Sequence, residues 1–420
     1  MRLVKAFIVL CATGALHVQA ASLPKLHIKQ DETSVSGLSS GAYMAVQFHV
    51  ANSSFVKGAG VVAGGPYFCA QDSQDTATTI CSCTGLMTCR PEQAAPSVPS
   101  LVQLTNQRAG QHAIDPTSNL ATSRVWLFAG NADNVVPPPV MQALESYYRN
   151  YVPSTNLFFE ASIPAQHAMP TESFGNPCSF RGDPFINDCD FDGAGKLLQW
   201  IYGSLNPKNT GSLSGQLQSF DQGEFIANPT ANGMSSNGWV YVPAFCEQNH
   251  GCRLHVVFHG CKQYPDAPLA SGPGGKFGDT FARHSGYNAW ADANNIVVLY
   301  PQANAMNTGT RLPRANPNGC WDWWGYGDAN YSVKSGRQMA AVALMVDRLA
   351  GKDTTGPAAY CGKDTVAKHV SAGRASSLFF WWYFATGSGD YLGMDAGAEA
   401  TLQEVSSGVF KKVNTCPPPV

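Results

Sequence analysis

Gly37-Leu38-Ser39-Ser40-Gly41 is the feature that most restricts how this chain can fold. A G-x-S-x-G run sets a serine on a sharp turn between a strand and a helix. Glycine and serine are abundant here, so about a third of one such motif is expected by chance and its flanks decide its weight. Residues 25–38 alternate loosely, with Leu26, Ile28 and Val35 apolar, as a strand does. Ala42 to Val50 then carries apolar residues at helical spacing. Strand, glycine turn and helix thus follow in the order the motif demands. The Ser39 hydroxyl is left exposed at a strained bend, and the Ser40 N–H is free to aim at a developing oxyanion.

The position of the motif is unusual. Serine elbows of this kind come midway through an α/β-hydrolase, after several strands and helices, whereas this one comes almost at once. The missing front half lies some two hundred residues downstream. There Gly238–Pro243 and Leu254–Phe258 read as strands, 281–294 as a helix, Ile296–Pro301 as a buried parallel strand and 335–349 as a long amphipathic helix. The first block continues past the elbow with strands at 56–66, 125–130 and 156–159 and helices at 140–151 and 193–202. Residues 69–123 show no clear periodicity, and the Ser/Gly/Asn-rich stretch 203–237 has the composition of a linker or surface loop. Joining the helix that ends near Leu349 to the strand before Ser39 restores the ordinary order. A circularly permuted α/β-hydrolase is the fold expected for residues 21–353, with a small C-terminal module over 354–420.

The bulk properties narrow the setting. The 420 residues are 44% apolar and only 13% charged, with a net charge of −2, so nothing favours nucleic acid or an anionic membrane surface. Arg2 and Lys5 precede the apolar run Ala6–Ala12, and small residues follow near position 20, which reads as a secretory signal over 1–20. That run is too short to span a bilayer, which needs about 20 apolar residues. Of the 13 cysteines, Cys11 falls in the signal and an even number remains, as in an exported disulfide-bonded protein. Cys178 with Cys189 and Cys246 with Cys252 are plausible short bridges, and Cys361 with Cys416 brackets the last module. No histidine completes a zinc spacing beside Cys81, Cys83 and Cys89, so neither metal nor cofactor is expected.

A serine nucleophile needs a base, and the base needs an orienting acid. In α/β-hydrolases these follow in the order Ser, Asp, His, each after a strand. Asp133 follows the strand Val125–Gly130, and His167 lies in the loop after 156–159. The other readings, an Asx-turn aspartate and a surface-loop histidine, do not explain why all three occur in sequence. Val256-Val257-Phe258-His259-Gly260-Cys261 has the His-Gly mark of the loop that supplies a second oxyanion donor, here the Cys261 amide, with His259 holding the loop. Gly319-Cys320-Trp321-Asp322-Trp323-Trp324 lies after a strand on the same side of the sheet. Its tryptophans read either as core packed on the cysteine or as an aromatic wall. In the second case Trp321, Trp323 and Trp324 contact substrate. Leu378 to Phe384, in the module, reads either as a tiny core or as an aromatic platform for an insoluble polymer.

Gly37–Met44, the Asp133 and His167 loops, His259-Gly260-Cys261 and Gly319–Trp323 together resemble the secreted poly(3-hydroxybutyrate) depolymerases of the single-catalytic-domain, circularly permuted type. The likeness covers most of residues 25–350. It implies an extracellular serine esterase acting on an insoluble polyester; a monomer is expected. It also implies Ser39 as nucleophile, His167 as base, Asp133 as its partner, and the Ser40 and Cys261 amides as oxyanion donors. The C-terminal piece, with His369–Arg374 and Gly387–Asp390, resembles a small cassette found in some secreted bacterial hydrolases. Two other functions use the same features: a secreted carboxylesterase of the feruloyl or acetylxylan type, and a catalytically silent polymer-binding protein.

Overall fold

The computed structural model describes residues 21–420 apart from 86–88, 249, 307–314, 355–360, 373, 379–380, 387, 407–408 and 417–420. The expected signal over 1–20, with Cys11, lies outside the described residues, as do Phe379 and Phe380 of the aromatic run.

In chain order, β1 (Thr33–Leu38), β2 (Val56–Val62), β3 (Arg124–Phe128) and β4 (Leu157–Glu160) come first. The short strands β5 (Met169–Thr171), β6 (Asn176–Pro177) and β7 (Ile186–Asp188) follow, then β8 (Gln216–Asp221), β9 (Asn237–Val242), β10 (Arg253–Phe258) and β11 (Ile296–Tyr300). Eight of these form one sheet in the order β4-β3-β2-β1-β10-β11-β9-β8. From β4 to β11 every neighbour is parallel, and β9 is antiparallel to both of its neighbours. All six residues of β1 and all five of β11 are buried, as expected of parallel strands covered on both faces. Each fully buried Val or Leu in these strands contributes about 1.5–3 kcal/mol of transfer free energy. Inside the sheet His255 bridges the Ser34 and Ser36 hydroxyls at 2.6 and 2.8 Å, joining β10 to β1. Burial lowers its pKa to about 3, so it stays neutral there.

Read from its β8 edge, the sheet has the strand layout of an α/β-hydrolase, with the antiparallel strand second and the serine strand fifth. The chain reaches those positions in permuted order. The junction is visible: the Leu26 and Ile28 N–H groups both donate to the Leu349 carbonyl, at 3.1 Å each. Leu349 ends the helix Arg337–Leu349, so the start of the chain is docked where an unpermuted chain would simply continue.

Three local expectations are corrected. The stretch 203–237 is not merely a linker, because it holds β8, the outermost strand, with four polar residues of six and one, Phe220, buried. The region 69–123 contains the helices Gln74–Thr79 and Val98–Gly110. The helix expected over 281–294 is two, Thr280–His284 and Tyr287–Asn294, separated where Gly286 takes φ +93°.

The C-terminal residues form two small antiparallel sheets. One contains β12 (Cys361–Thr365), β16 (Glu399–Ser406) and β17 (Val409–Lys412), and the other β13 (Ala375–Leu378), β14 (Trp382–Ala385) and β15 (Tyr391–Gly393). Their core is Val366, Ala375, Ala385, Leu392, Ala400, Leu402 and Phe410. Leu378, Trp381 and Trp382 are exposed while Tyr383 packs against that core, so among the described residues the run adds to the core at Tyr383 rather than forming it. Cys361 and Cys416 are bonded, as expected.

Candidate active site

The elbow is built by close backbone packing. A Cβ on Gly41 would lie 2.2 Å from the Phe258 carbonyl oxygen, and one on Gly37 would lie 2.2 Å from the Gly41 carbonyl oxygen. Only glycine allows the helix Ser40–Ala51 to start this close to β10. Ser39 sits at the bend with φ +58°, in the sparsely populated region expected of a strained elbow. Its N–H is fixed by the Val62 carbonyl at 3.0 Å.

Asp133 and His167 arrive from the loops after β3 and β4. His167 Nδ1 lies 2.8 Å from Asp133 Oδ2, and both residues are buried. The other carboxylate oxygen of Asp133, Oδ1, accepts the Val135 and Val136 N–H groups at 2.8 and 3.0 Å. The carboxylate is therefore clamped by two backbone donors while it faces the imidazole. A cleft of about 570 Å³ is lined by Ser39, Ser40, His167, Gly260, Cys261, Trp323 and Trp324 among others. Ser39 and His167 thus open onto one space, with Asp133 behind the imidazole.

The loop after β10 closes the opposite side. A Cβ on Gly260 would stand 3.3 Å from Ser39 Cβ, which places this loop directly beside the serine. The Gly260 N–H donates to Gln263 Oε1 at 2.6 Å, and His259 Nε2 accepts the Ala303 N–H at 3.1 Å, so His259 braces the loop from within. Burial lowers the His259 pKa to about 4 against the pull of the Gly260 carbonyl. Ser40 opens its helix, where an N–H has no intrahelical acceptor. Among the described residues neither the Ser40 nor the Cys261 amide is given to a protein acceptor.

Cys261 is bonded to Cys320, tying this loop to the tryptophan loop. The bonded cysteines are 59 residues apart, which corresponds to about 4 kcal/mol of chain-entropy stabilisation. A Cys261→Ala/Cys320→Ala protein is expected to lose roughly that much stability. Its urea midpoint tests the estimate, and an unchanged midpoint would show that the bond holds nothing the rest of the fold does not.

The tryptophans divide. Trp323 stacks on Tyr43 with ring centroids 3.9 Å apart and planes 12° from parallel, and Trp324 meets Trp323 edge-on at 5.5 Å. Both line the cleft. Trp321 does not: its ring is fully buried, edge-on to Phe258 at 5.1 Å, and its backbone N–H donates to the Ser40 hydroxyl at 3.3 Å. The Cys261–Cys320 bond carries the next residue under the loop and into the core, so Trp321 supports the elbow from below. Asp322 shapes the turn between them. Its two oxygens accept the N–H groups of Gly325, Tyr326, Gly327 and Asp328 at 2.8–3.1 Å. Burial pushes its carboxyl up to about 6 against those four donors.

Several lining residues were not singled out from the sequence: Tyr43, Leu38, Val135, Val136 and Phe185. Tyr43 had a readable signal, since it stands one helical turn beyond Ser39 and so on the same face. Cys69–Cys81, Cys83–Cys89, Cys178–Cys189 and Cys246–Cys252 complete the disulfides. The cysteines that a zinc site near 81–89 would need are therefore consumed.

A hydroxyl at a strained bend, a buried imidazole aligned by a carboxylate and two free amides beside them are the set that acyl transfer requires. Tyr43, Phe185, Trp323, Trp324, Leu38, Val135 and Val136 give the cleft an apolar wall, with Arg181, Asp183 and Lys262 also lining it. The chain is 45% identical over 391 residues to a poly(3-hydroxybutyrate) depolymerase of Delftia acidovorans, spanning 91% of this chain and 72% of that one. The chain belongs to the poly(3-hydroxybutyrate) depolymerases. A polyhydroxybutyrate depolymerase of Talaromyces funiculosus is 39% identical over 351 residues, covering 81% of this chain and 96% of the other. Among solved structures, a PHB depolymerase S39A variant complexed with an R3HB trimer superposes with a TM-score of 0.69 at 36% identity. The PHB depolymerase of Penicillium funiculosum gives 0.67 at 36%. Each covers 79% of this chain and 99% of the other, so the depolymerase fold is complete in less than the full length of this chain. No family model matches the chain.

Proposed function

We propose that this depolymerase is an exported serine esterase that cleaves poly(3-hydroxybutyrate) to short hydroxybutyrate products through an acyl-enzyme. The 2.8 Å His167–Asp133 contact, opening onto the cleft that Ser39 enters, carries the reading. Ser39 is the nucleophile, His167 the base and Asp133 the group that orients it. In the first step the Ser39 oxygen bonds to the ester carbonyl carbon and its proton passes to His167 Nε2. The carbonyl oxygen becomes an oxyanion, held by the Ser40 and Cys261 amides, each donor contributing about 3–4 kcal/mol. The bond to the alkoxide then breaks as His167 returns the proton, releasing a chain that ends in a hydroxyl. Water enters, gives a proton to His167 and attacks the acyl carbon, and the Ser39–acyl bond then breaks as His167 passes that proton to the Ser39 oxygen, leaving a carboxylic acid, a neutral imidazole and a restored serine.

Trp323, Trp324 and Tyr43 are the apolar wall for the methyl-bearing backbone of the polyester. Catalysis belongs to residues 21–353, and 354–420 is a separate small module. Six disulfides agree with an oxidising destination, and the basic-apolar start over 1–20 is the export signal. The test is clearing of a poly(3-hydroxybutyrate) suspension by the mature protein, with p-nitrophenyl butyrate in parallel. The proposal expects both. Turnover of the soluble ester without clearing would keep the esterase and remove the polymer as substrate.

A further inference from the structure

The cleft carries charge that a neutral polyester does not need. Arg181 and Lys262 both line it, and among the described lining residues Asp183 is the one carboxylate. The chain as a whole has a net charge of −2, so these cations do not reflect a generally basic surface. Arg181 Nη1 donates to Asn134 Oδ1 at 2.9 Å, and neither cation forms an ion pair among the described residues.

Their placement is specific. Arg181 rides on the Cys178–Cys189 loop, which is tied to both sides of His167. The Gln166 N–H donates to the Cys178 carbonyl, and the Met169 N–H to the Phe185 carbonyl, each at 2.9 Å. Lys262 follows Cys261 directly, on the loop that touches Ser39, and is held with φ +64° while its N–H bonds the Asn318 carbonyl at 2.7 Å. One cation therefore stands on the side of the base and the other on the side of the oxyanion donors.

We infer that Arg181 and Lys262 form a carboxylate-recognising rim that selects the free acid end of short hydroxyalkanoate oligomers. This rests on the esterase reading above. Cleavage splits the substrate into an acyl part held by Ser39 and an alcohol part that leaves on the His167 side. The alcohol part carries the original carboxylate end. On a dimer or trimer that end is only one or two units from the broken ester, within the cleft and on the side of Arg181. On a long polymer it is far away and the rim is silent. Lys262, beside the oxyanion loop, faces the carboxylate that deacylation creates and draws the product away from the serine. A guanidinium and an ammonium each favour an anion that brings no compensating cation.

The test is calorimetric binding of a 3-hydroxybutyrate trimer, as free acid and as methyl ester, to the Ser39→Ala protein near pH 7.5. The acid is expected to bind about 3- to 10-fold tighter than the ester at low salt, and the preference should shrink at 0.5 M salt. Adding R181Q and K262Q together should bring the ratio close to one, each single change removing part of it. Equal binding of acid and ester, or a preference that survives high salt and the double change, overturns the rim. The salt comparison needs neither substitution, so a variant that fails to fold does not spare the inference. Failure of the esterase reading looks different: the native protein would leave the methyl ester trimer intact.

Discussion

Replacing Ser39 by alanine is expected to lower the turnover of p-nitrophenyl butyrate by about 10⁴- to 10⁶-fold, with polymer clearing lost in step. The residual rate is what the oxyanion amides and the cleft can do without a nucleophile. The same change should leave the fold untouched. The Ser39 hydroxyl makes no hydrogen bond to a described residue, and alanine occupies the same backbone conformation at the bend. The expected stability change is within about 0.5 kcal/mol. A thermal melt beside the rate measurement separates the two effects. A Ser39→Ala protein that keeps a few per cent of native turnover would move the nucleophile elsewhere.

Asp133→Asn is the second large effect, and the structure gives it a definite cause. Two backbone N–H groups, of Val135 and Val136, point at Oδ1. An asparagine must keep its carbonyl oxygen there, since its amide nitrogen would face two donors. The NH₂ group is then forced against His167 Nδ1, where Asp133 Oδ2 now stands at 2.8 Å. That nitrogen must become an acceptor, which puts the ring proton on Nε2 and leaves no lone pair to receive the proton of Ser39. The kcat is expected to fall about 10⁴-fold with the fold intact. Asp133→Ala is the useful companion. It leaves the imidazole free to take either tautomer, so its rate should fall less. It also strips the acceptor from two backbone donors at a buried site, so its stability should drop by about 1–3 kcal/mol, more than in the asparagine variant. An Asn variant more active than the Ala variant would contradict the tautomer account.

Much of this site could be read from the residues because its chemistry is tied to backbone geometry. Gly37 and Gly41 are required by carbonyl oxygens 2.2 Å from where a Cβ would be, so the motif reports a packing arrangement as well as a candidate nucleophile. Asp133 and His167 follow strands with strong apolar signals, and the permuted order was legible because each strand block keeps its own internal sequence. The failures have physical causes too. β8 closes the sheet at an open edge, and such a strand has little apolar face to betray it, so its Ser/Gly/Asn-rich surroundings look like a linker. Trp321 was grouped with Trp323 and Trp324 because spacing along a loop does not say which side a ring turns to. That is decided by the Cys261–Cys320 bond and by Phe258 across the core. The run Leu378–Phe384 looked like a core by composition. Val366, Ala375, Ala385 and Ala400, joined by Phe410, Leu402 and Leu392, fill that role with Tyr383 packed against them, while Trp381 and Trp382 stand exposed.

The account is tested most directly by treating the native protein with a p-nitrophenyl phosphonate and following the label and the clearing of poly(3-hydroxybutyrate) together. Mass spectrometry should find one phosphonyl group per chain, on the peptide that contains Ser39, and clearing should vanish in proportion to the labelled fraction. A fully labelled Ser39 in a protein that still clears the polymer, or a stoichiometric label on another residue, would contradict it.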